Sequence, residues 1–201
     1  FLHWSWFLVA LFEMQRRSEY GSLAWNAAEY LTLFGIVLLH EFGHSLACRQ
    51  VGGRAERIVL WPLGGVAYVD PPQRPGATLW SIAAGPLVNV ALAPLLFGAI
   101  LAVGAAGLAE AWPDLATFLG AVFTVNLVIL AFNLLPVYPL DGGQALRALL
   151  MLFGVAPGRA RMITRRLAVG IVIAVAIWVL KTDQSKFLLF IGVWIFFANA
   201  D

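Results

Sequence analysis

The sequence has few charged residues, one cysteine and three histidines. Charged residues make up 12% of the 201 residues, about half the share of a soluble domain, whereas hydrophobic residues make up 61%. This shortage of charge excludes an ordinary soluble protein, and the apolar residues occur in long blocks. We therefore expect an integral membrane protein in contact with a lipid bilayer.

The single cysteine and the scattered basic residues exclude two further classes. Cys48 cannot form a disulfide within the chain, so the fold does not depend on an oxidising compartment. The 13 lysines and arginines form no basic stripe, so no nucleic-acid partner is expected. Since the sequence begins with Phe1 rather than Met, the natural N-terminus is expected upstream, and whether a regulatory domain follows Asp201 stays open.

Apolar windows predict six transmembrane helices, since a hydrocarbon core of about 30 Å needs about 20 apolar residues in a helix. The predicted segments are residues 1–12, 30–50, 79–104, 116–135, 166–180 and 187–200. Residues 57–70 contain two β-type runs around Pro62, Gly64 and Gly65, which predicts a β-hairpin. Such backbone is tolerated at membrane depth only beside a cavity or inside protein. The predicted fold is one all-α membrane domain over residues 1–201, with a re-entrant β-hairpin near the active site.

Basic residues are distributed unequally between alternate loops. The regions after the second and fourth segments hold Arg49, Arg54, Arg57, Arg74, Arg147, Arg159, Arg161, Arg165 and Arg166, and the other loops hold Arg16, Arg17, Lys181 and Lys186. Because cytoplasmic loops carry the excess of lysine and arginine, both termini are expected in the cytoplasm. The second segment then ends in the cytoplasmic half of the bilayer, in what we expect to be a prokaryotic plasma membrane.

The strongest chemical signal is His40-Glu41-Phe42-Gly43-His44 in the second segment. Residues four apart project from one helix face, so the two imidazoles can bind one zinc ion. The Glu41 carboxylate can take a proton from a water at the metal and later give it to a leaving amine. The alternative is a polar cluster that joins helices, but three ionisable groups within five residues are costly inside a membrane.

A catalytic zinc site needs a third protein ligand, and the remaining histidine, His3, lies at the start of the chain. Asp141 is the best candidate because it follows the fourth segment, at the expected depth of the two histidines. Pro136 and Pro139 end that helix, so Asp141 is presented from an irregular segment. A compatible alternative is that Asp141 is the N-cap of a short helix over residues 144–153. We expect one Zn²⁺ per chain.

Three motifs lie on successive predicted segments: HEFGH, then Gly85-Pro86-Leu87-Val88-Asn89, then Asn133-x-x-Pro136-x-x-x-x-Asp141-Gly142. Together they resemble the site-2 protease family of intramembrane zinc metalloproteases, in its compact branch without an inserted peptide-binding domain. The resemblance covers nearly the whole chain. It implies a zinc metalloendopeptidase that cuts within or near a transmembrane segment of a membrane-embedded protein, such as a membrane-tethered transcription regulator, in regulated intramembrane proteolysis.

The resemblance also implies roles for particular residues. The metal ligands would be His40, His44 and Asp141, and the general base would be Glu41. Asn133 would bind the scissile backbone or its oxyanion, the alternative being a hydrogen bond to backbone freed by Pro136. Asn89 is a candidate for substrate binding, although a hydrogen bond between helices is favoured.

The predicted hairpin, with Gly64 and Gly65, is also a candidate for substrate binding. The family has a counterpart of it, and a substrate added as a strand would be held extended, with its peptide bond exposed. Cys48, one turn after His44, is an alternative metal ligand. The many small residues on the helices permit close packing within the chain or in a homo-oligomer.

Two other functions stay open. A membrane zinc peptidase of the type that trims prenylated C-termini also has H-E-x-x-H, but it takes a glutamate from a second helical motif, and no such motif follows here. A catalytically silent membrane scaffold or transporter-like bundle would use the histidines for packing or transport. The intact Glu41 argues against such a scaffold.

Overall fold

The computed structural model describes residues 20–61 and 64–182, which are mostly helical with one small sheet. Helix α1 (Leu23–Gln50) precedes strands β1 (Arg54–Trp61) and β2 (Gly64–Asp70). The following helices are α2 (Pro75–Ala105), α3 (Leu108–Ala111), α4 (Pro113–Asn133), α5 (Asp141–Leu152) and α6 (Pro157–Thr182). The predicted helical class with a small hairpin is confirmed, whereas the predicted segments 1–12 and 187–200 lie outside the described residues.

Three of the described helices, α1, α2 and α4, are long and apolar enough to cross a bilayer. The most apolar stretches of α2 and α4 are only 6% and 11% buried, so residues 20–61 and 64–182 leave most of their surface uncovered. The corresponding stretch of α1 is 50% buried, so the helix with the HEFGH motif is the inner one. The predicted segment 166–180 lies in the second part of α6.

The helices begin earlier than hydropathy predicts. Helices α2, α4 and α6 begin at Pro75, Pro113 and Pro157, rather than at residues 79, 116 and 166, and α1 begins at Leu23 rather than at residue 30. Proline suits the first helical position because its φ is preset and an N–H there would have no helical partner. Apolar windows detect the part of a helix that faces lipid, so they miss such polar first turns.

Helix α2 is the centre of the packing, since it contacts α1, α4 and α5. The contact with α1 is close: a Cβ built on Gly43 would lie 2.6 Å from the carbonyl oxygen of Ala84. Small residues of this kind let helix backbones approach in a membrane. The two backbones therefore meet beside the histidines of α1.

The hairpin packs on α1. Its strands pair antiparallel from Arg54 opposite Asp70 to Trp61 opposite Gly64, with an irregularity between Ala55 and Arg57. Leu60 is buried and packs with Val37 of α1 in an apolar cluster. The hairpin is thus held against the helix that carries the motif, and it begins three residues before the predicted residue 57.

A short turn between α4 and α5 presents Asp141. Val137 in this turn is completely buried and packs with Ala168 of α6. Helix α5 begins at Asp141 itself, with Leu140 as its N-cap residue and no side-chain cap. The alternative of Asp141 as the N-cap of a helix over 144–153 is therefore wrong, although a carboxylate in the first turn still interacts favourably with the helix dipole.

Candidate metal centre

Three side chains converge at one point: His40 and His44 from α1 and Asp141 from the start of α5. The Nε2 atoms of the two histidines are 3.1 Å apart. Asp141 Oδ2 lies 3.0 Å from Nε2 of His40 and 3.3 Å from Nε2 of His44. The three atoms form a nearly equilateral triangle. Asp141 is its most open corner, since its side chain is 14% exposed, against 5% and 9% for the histidines.

Hydrogen bonds on the far side of each ring decide which nitrogen carries the proton. His40 Nδ1 lies 2.6 Å from Oδ1 of Asn89, and His44 Nδ1 lies 2.9 Å from the carbonyl oxygen of Ser81. Both oxygens can only accept, so both Nδ1 atoms donate. In the neutral rings each Nε2 therefore directs a lone pair into the triangle, as metal-binding histidines do.

The triangle fits a cation. Three atoms with lone pairs repel one another at these distances unless a positive charge lies between them. Zinc binds histidine nitrogen and carboxylate oxygen at about 2.0–2.2 Å, and ligands of a tetrahedral ion at such bond lengths lie about 3.3 Å apart. Within residues 20–61 and 64–182, His40, His44 and Asp141 form the group that could hold a metal ion. The donor set and its spacing therefore suit zinc, with a fourth position left for water.

Glu41 is covered by the hairpin. Its Oε2 accepts a hydrogen bond of 2.7 Å from the backbone N–H of Ala67 in β2, and the residue is 5% exposed. At Gly65 the strand passes so close that a Cβ there would lie 2.5 Å from Oε1 and 2.6 Å from Cδ of Glu41. A side chain at position 65 would therefore push the Glu41 carboxylate aside, and the hairpin lies against the site.

Asn89 lies behind His40 and has no exposed surface. Its Nδ2 donates to Oδ1 of Asn126 (2.8 Å), and Nδ2 of Asn126 donates to the backbone oxygen of Asn89 (3.0 Å). These contacts agree with the favoured alternative of a hydrogen bond between helices and leave the side chain no surface for a substrate. Asn126, which is also fully buried, was not predicted from the sequence. The available signal was a lone amide in the middle of an apolar segment.

Gly85 belongs to the site, although its motif alone did not suggest this. A Cβ there would overlap Nε2 of His44 and would lie 2.8 Å from Nε2 of His40. Ser81, one turn earlier, supplies the carbonyl that accepts from His44. The α2 backbone therefore both makes room for the imidazoles and binds one of them.

The remaining predicted residues are Asn133, Cys48 and Gly64. Asn133 donates through Nδ2 to the carbonyl oxygen of Ile129 in its own helix (3.1 Å), and not to backbone freed by Pro136. Its catalytic role stays a prediction. Cys48 is completely buried and donates to the carbonyl oxygen of Arg54 (3.3 Å), so the structure places it outside the triangle. Gly64 begins β2.

The chain is similar to known metalloproteases. The sequence profile described as Peptidase family M50 matches residues 28–117 and 103–177. Zinc metalloprotease MJ0392 of Methanocaldococcus jannaschii is 37% identical over 132 residues, which cover 65% of this chain and 36% of that protein. Stage IV sporulation protein FB of Bacillus subtilis is 35% identical over 128 residues, covering 63% and 41%. Putative zinc metalloprotease Rip3 of Mycobacterium tuberculosis is 35% identical over 133 residues, covering 62% and 31%. The matched residues thus span 31–41% of these relatives.

The fold has a counterpart among solved structures. The Site-2 Protease from Methanocaldococcus jannaschii aligns with a TM-score of 0.64 over 99% of this chain and 88% of that chain, at 24% identity. At this identity the likeness shows the fold. With three helices able to cross a bilayer, the chain is an integral membrane protein.

Replacing Gly85 with alanine is expected to disrupt the metal centre. The added methyl group would take the place of His44 Nε2, so both rings would have to move, and zinc affinity should fall more than about tenfold. The measurement is competition with a zinc chelator on the detergent-purified chain.

The matched control is Gly98→Ala on the same helix, where an added Cβ meets nothing within 4 Å. This variant should bind zinc like the wild type. Equal zinc affinities for the two variants would contradict the placement of the histidine rings against Gly85.

Proposed function

The chain belongs to peptidase family M50, and we propose that it is an intramembrane zinc metalloprotease of the site-2 type. Its proposed substrate is a membrane-tethered protein, such as a transcription regulator, cut within or near its transmembrane segment. The observation that carries this proposal is the group of two histidines and a carboxylate, whose ligand atoms lie within 4.8 Å of one another beside Glu41. We propose one zinc ion per chain.

The proposed ligands are His40 Nε2, His44 Nε2 and the Asp141 carboxylate. When bound there, zinc supplies Lewis-acid activation of water and of the peptide carbonyl. Glu41 takes the proton of the attacking water on its carboxylate and then gives it to the leaving amine. The site is buried among apolar helices, which strengthens each of these electrostatic interactions relative to water.

Asn133 is proposed to stabilise the oxyanion by donating its amide. In the structure this amide donates to the carbonyl oxygen of Ile129. The same carbonyl lies four residues before Asn133 in α4, so the backbone N–H of Asn133 is its helical partner. The side chain can therefore exchange that bond for one to substrate without leaving a buried main-chain oxygen unpaired.

The hairpin is proposed to be re-entrant and to bind the substrate in extended form. Strand β2 presents the N–H of Ala67 to the Glu41 carboxylate, so this strand runs beside the base. A substrate paired with the hairpin as an added strand would expose its peptide bond, which a helix would hide. Gly64 and Gly65, at the start of β2, are proposed to take part in this pairing through their main chain.

The proposed orientation puts both termini and the metal site on the cytoplasmic side of a prokaryotic plasma membrane. It follows from the arginines that flank the hairpin and begin α6, since cytoplasmic loops carry such an excess. The turn from α3 to α4, which contains Trp112, would then face the opposite side.

The roles of base and ligand are separated by two substitutions. Glu41→Gln removes the base and should keep zinc but abolish cleavage, a loss of at least about 100-fold. Asp141→Ala removes a ligand and should lose both. Zinc content and cleavage of a reconstituted single-helix membrane substrate are measured on the same preparations. If the wild type held no zinc, or if Glu41→Gln still cut the substrate, the proposed function would be wrong.

A methyl group on Gly65 should impair the base without affecting zinc binding. Gly65→Ala pushes against the Glu41 carboxylate, so cleavage should fall about tenfold to 100-fold with zinc content unchanged. The control is Gly35→Ala on α1, where an added Cβ has open space. Full activity in Gly65→Ala would show that the contact of β2 with Glu41 does not position the Glu41 carboxylate for catalysis.

The orientation is tested with single cysteines in a Cys48→Ser background. In intact bacteria a membrane-impermeant maleimide should label Trp112→Cys, and it should label Gly158→Cys only after permeabilisation. Trp112 and Gly158 are both exposed, so access to the protein surface does not limit the reaction. The opposite pattern would place the metal site on the other side of the membrane.

A further inference from the structure

Three buried polar side chains from three different helices form a continuous chain of hydrogen bonds. They are His40 of α1, Asn89 of α2 and Asn126 of α4. His40 Nδ1 donates to Asn89 Oδ1 (2.6 Å), and Asn89 Nδ2 donates to Asn126 Oδ1 (2.8 Å). Both asparagines are completely buried, so no water competes for these bonds.

A second bond fixes the direction of this chain. Asn126 Nδ2 donates to the backbone oxygen of Asn89 (3.0 Å), an atom that can only accept. The amide of Asn126 must therefore turn its Oδ1 toward the side chain of Asn89. That oxygen can only accept as well, so Asn89 must turn its NH₂ toward Asn126 and its Oδ1 toward His40.

The direction of the Asn89 amide decides the tautomer of His40. With Oδ1 facing the ring, the proton lies on Nδ1 and the Nε2 lone pair is free for a metal. With the amide reversed, its NH₂ would face Nδ1, which would then have to accept. The ring proton would move to Nε2, where it would block the metal position.

We propose that Asn126 is a positioning residue of the metal centre, which holds His40 in its metal-binding tautomer through the amide of Asn89. This inference rests on the zinc site of the proposed function. It assigns a role to a residue that is separated from the metal ligand by two hydrogen bonds and lies outside all three sequence motifs. Hydrogen-bond partners behind a ligand typically contribute about 10-fold to 100-fold to metal affinity.

The test compares two substitutions that differ in the acceptor they leave at position 126. Asn126→Leu removes it while keeping the branched shape of the side chain, although leucine is larger, and should weaken zinc binding about 10-fold to 100-fold. In Asn126→Asp, the protonated carboxyl accepts from Asn89 Nδ2 and donates to the Asn89 backbone oxygen, as the amide does. Because the acceptor is kept, this variant should bind zinc within about threefold of the wild type. That difference is smaller than the loss typical when such a partner is removed.

The matched control is Thr124→Val on the same helix. The Thr124 hydroxyl donates to the carbonyl oxygen of Gly120 within α4, so its loss removes a polar group without touching the chain to His40. Zinc affinity is measured by chelator competition on the full chain in detergent. The thermal midpoint of the zinc-free protein is measured beside it.

A purely structural asparagine pair would lower the midpoint of the zinc-free protein and leave the zinc affinity of the folded protein unchanged. That outcome in Asn126→Leu, or a zinc affinity in Asn126→Asp as low as in Asn126→Leu, would overturn the inference. A wild type that binds no zinc would instead overturn the proposed function. Selective loss of affinity in Asn126→Leu, with rescue in Asn126→Asp, is the expected result.

Discussion

The whole site depends on one electrostatic constraint: three atoms with lone pairs are held about 3 Å apart inside an apolar helix bundle. Such an arrangement is repulsive by itself and becomes favourable when a cation lies between the atoms. The fold must therefore hold the three groups firmly. It holds the two histidines from behind, through bonds at the Nδ1 atoms, because bonds at Nε2 would compete with the metal.

Helix α2 provides most of that support from one face. Ser81, Gly85 and Asn89 are spaced by four residues, so they follow one another along the side that faces α1. Ser81 accepts from His44, Asn89 accepts from His40, and Gly85 between them leaves space for both rings. Because α1 and α2 run in opposite directions here, the two histidines meet their acceptors in reverse order. Helix α4 then supports α2 through Asn126.

The parts of the site that sequence could predict are those that follow from local periodicity. His40, Glu41 and His44 share one turn of α1, and the prolines after α4 indicated where Asp141 would be presented, although it lies 101 residues from His40. Gly85 and Asn126 were missed because their roles depend on how closely α2 approaches α1 and α4. Ser81 acts through its carbonyl oxygen, which every residue type has. The hairpin followed from its β-type runs, but its contact with Glu41 depends on how it packs on α1.

The zinc coordination shell is the most direct measure of this constraint, and the zinc K-edge X-ray absorption spectrum of the purified chain, loaded with equimolar zinc, reports it. We expect two imidazole nitrogens and one or two oxygens, all at about 2.0–2.2 Å. A shell that contained sulfur from Cys48, or fewer than two imidazoles, would contradict the convergence of His40, His44 and Asp141 on one metal ion.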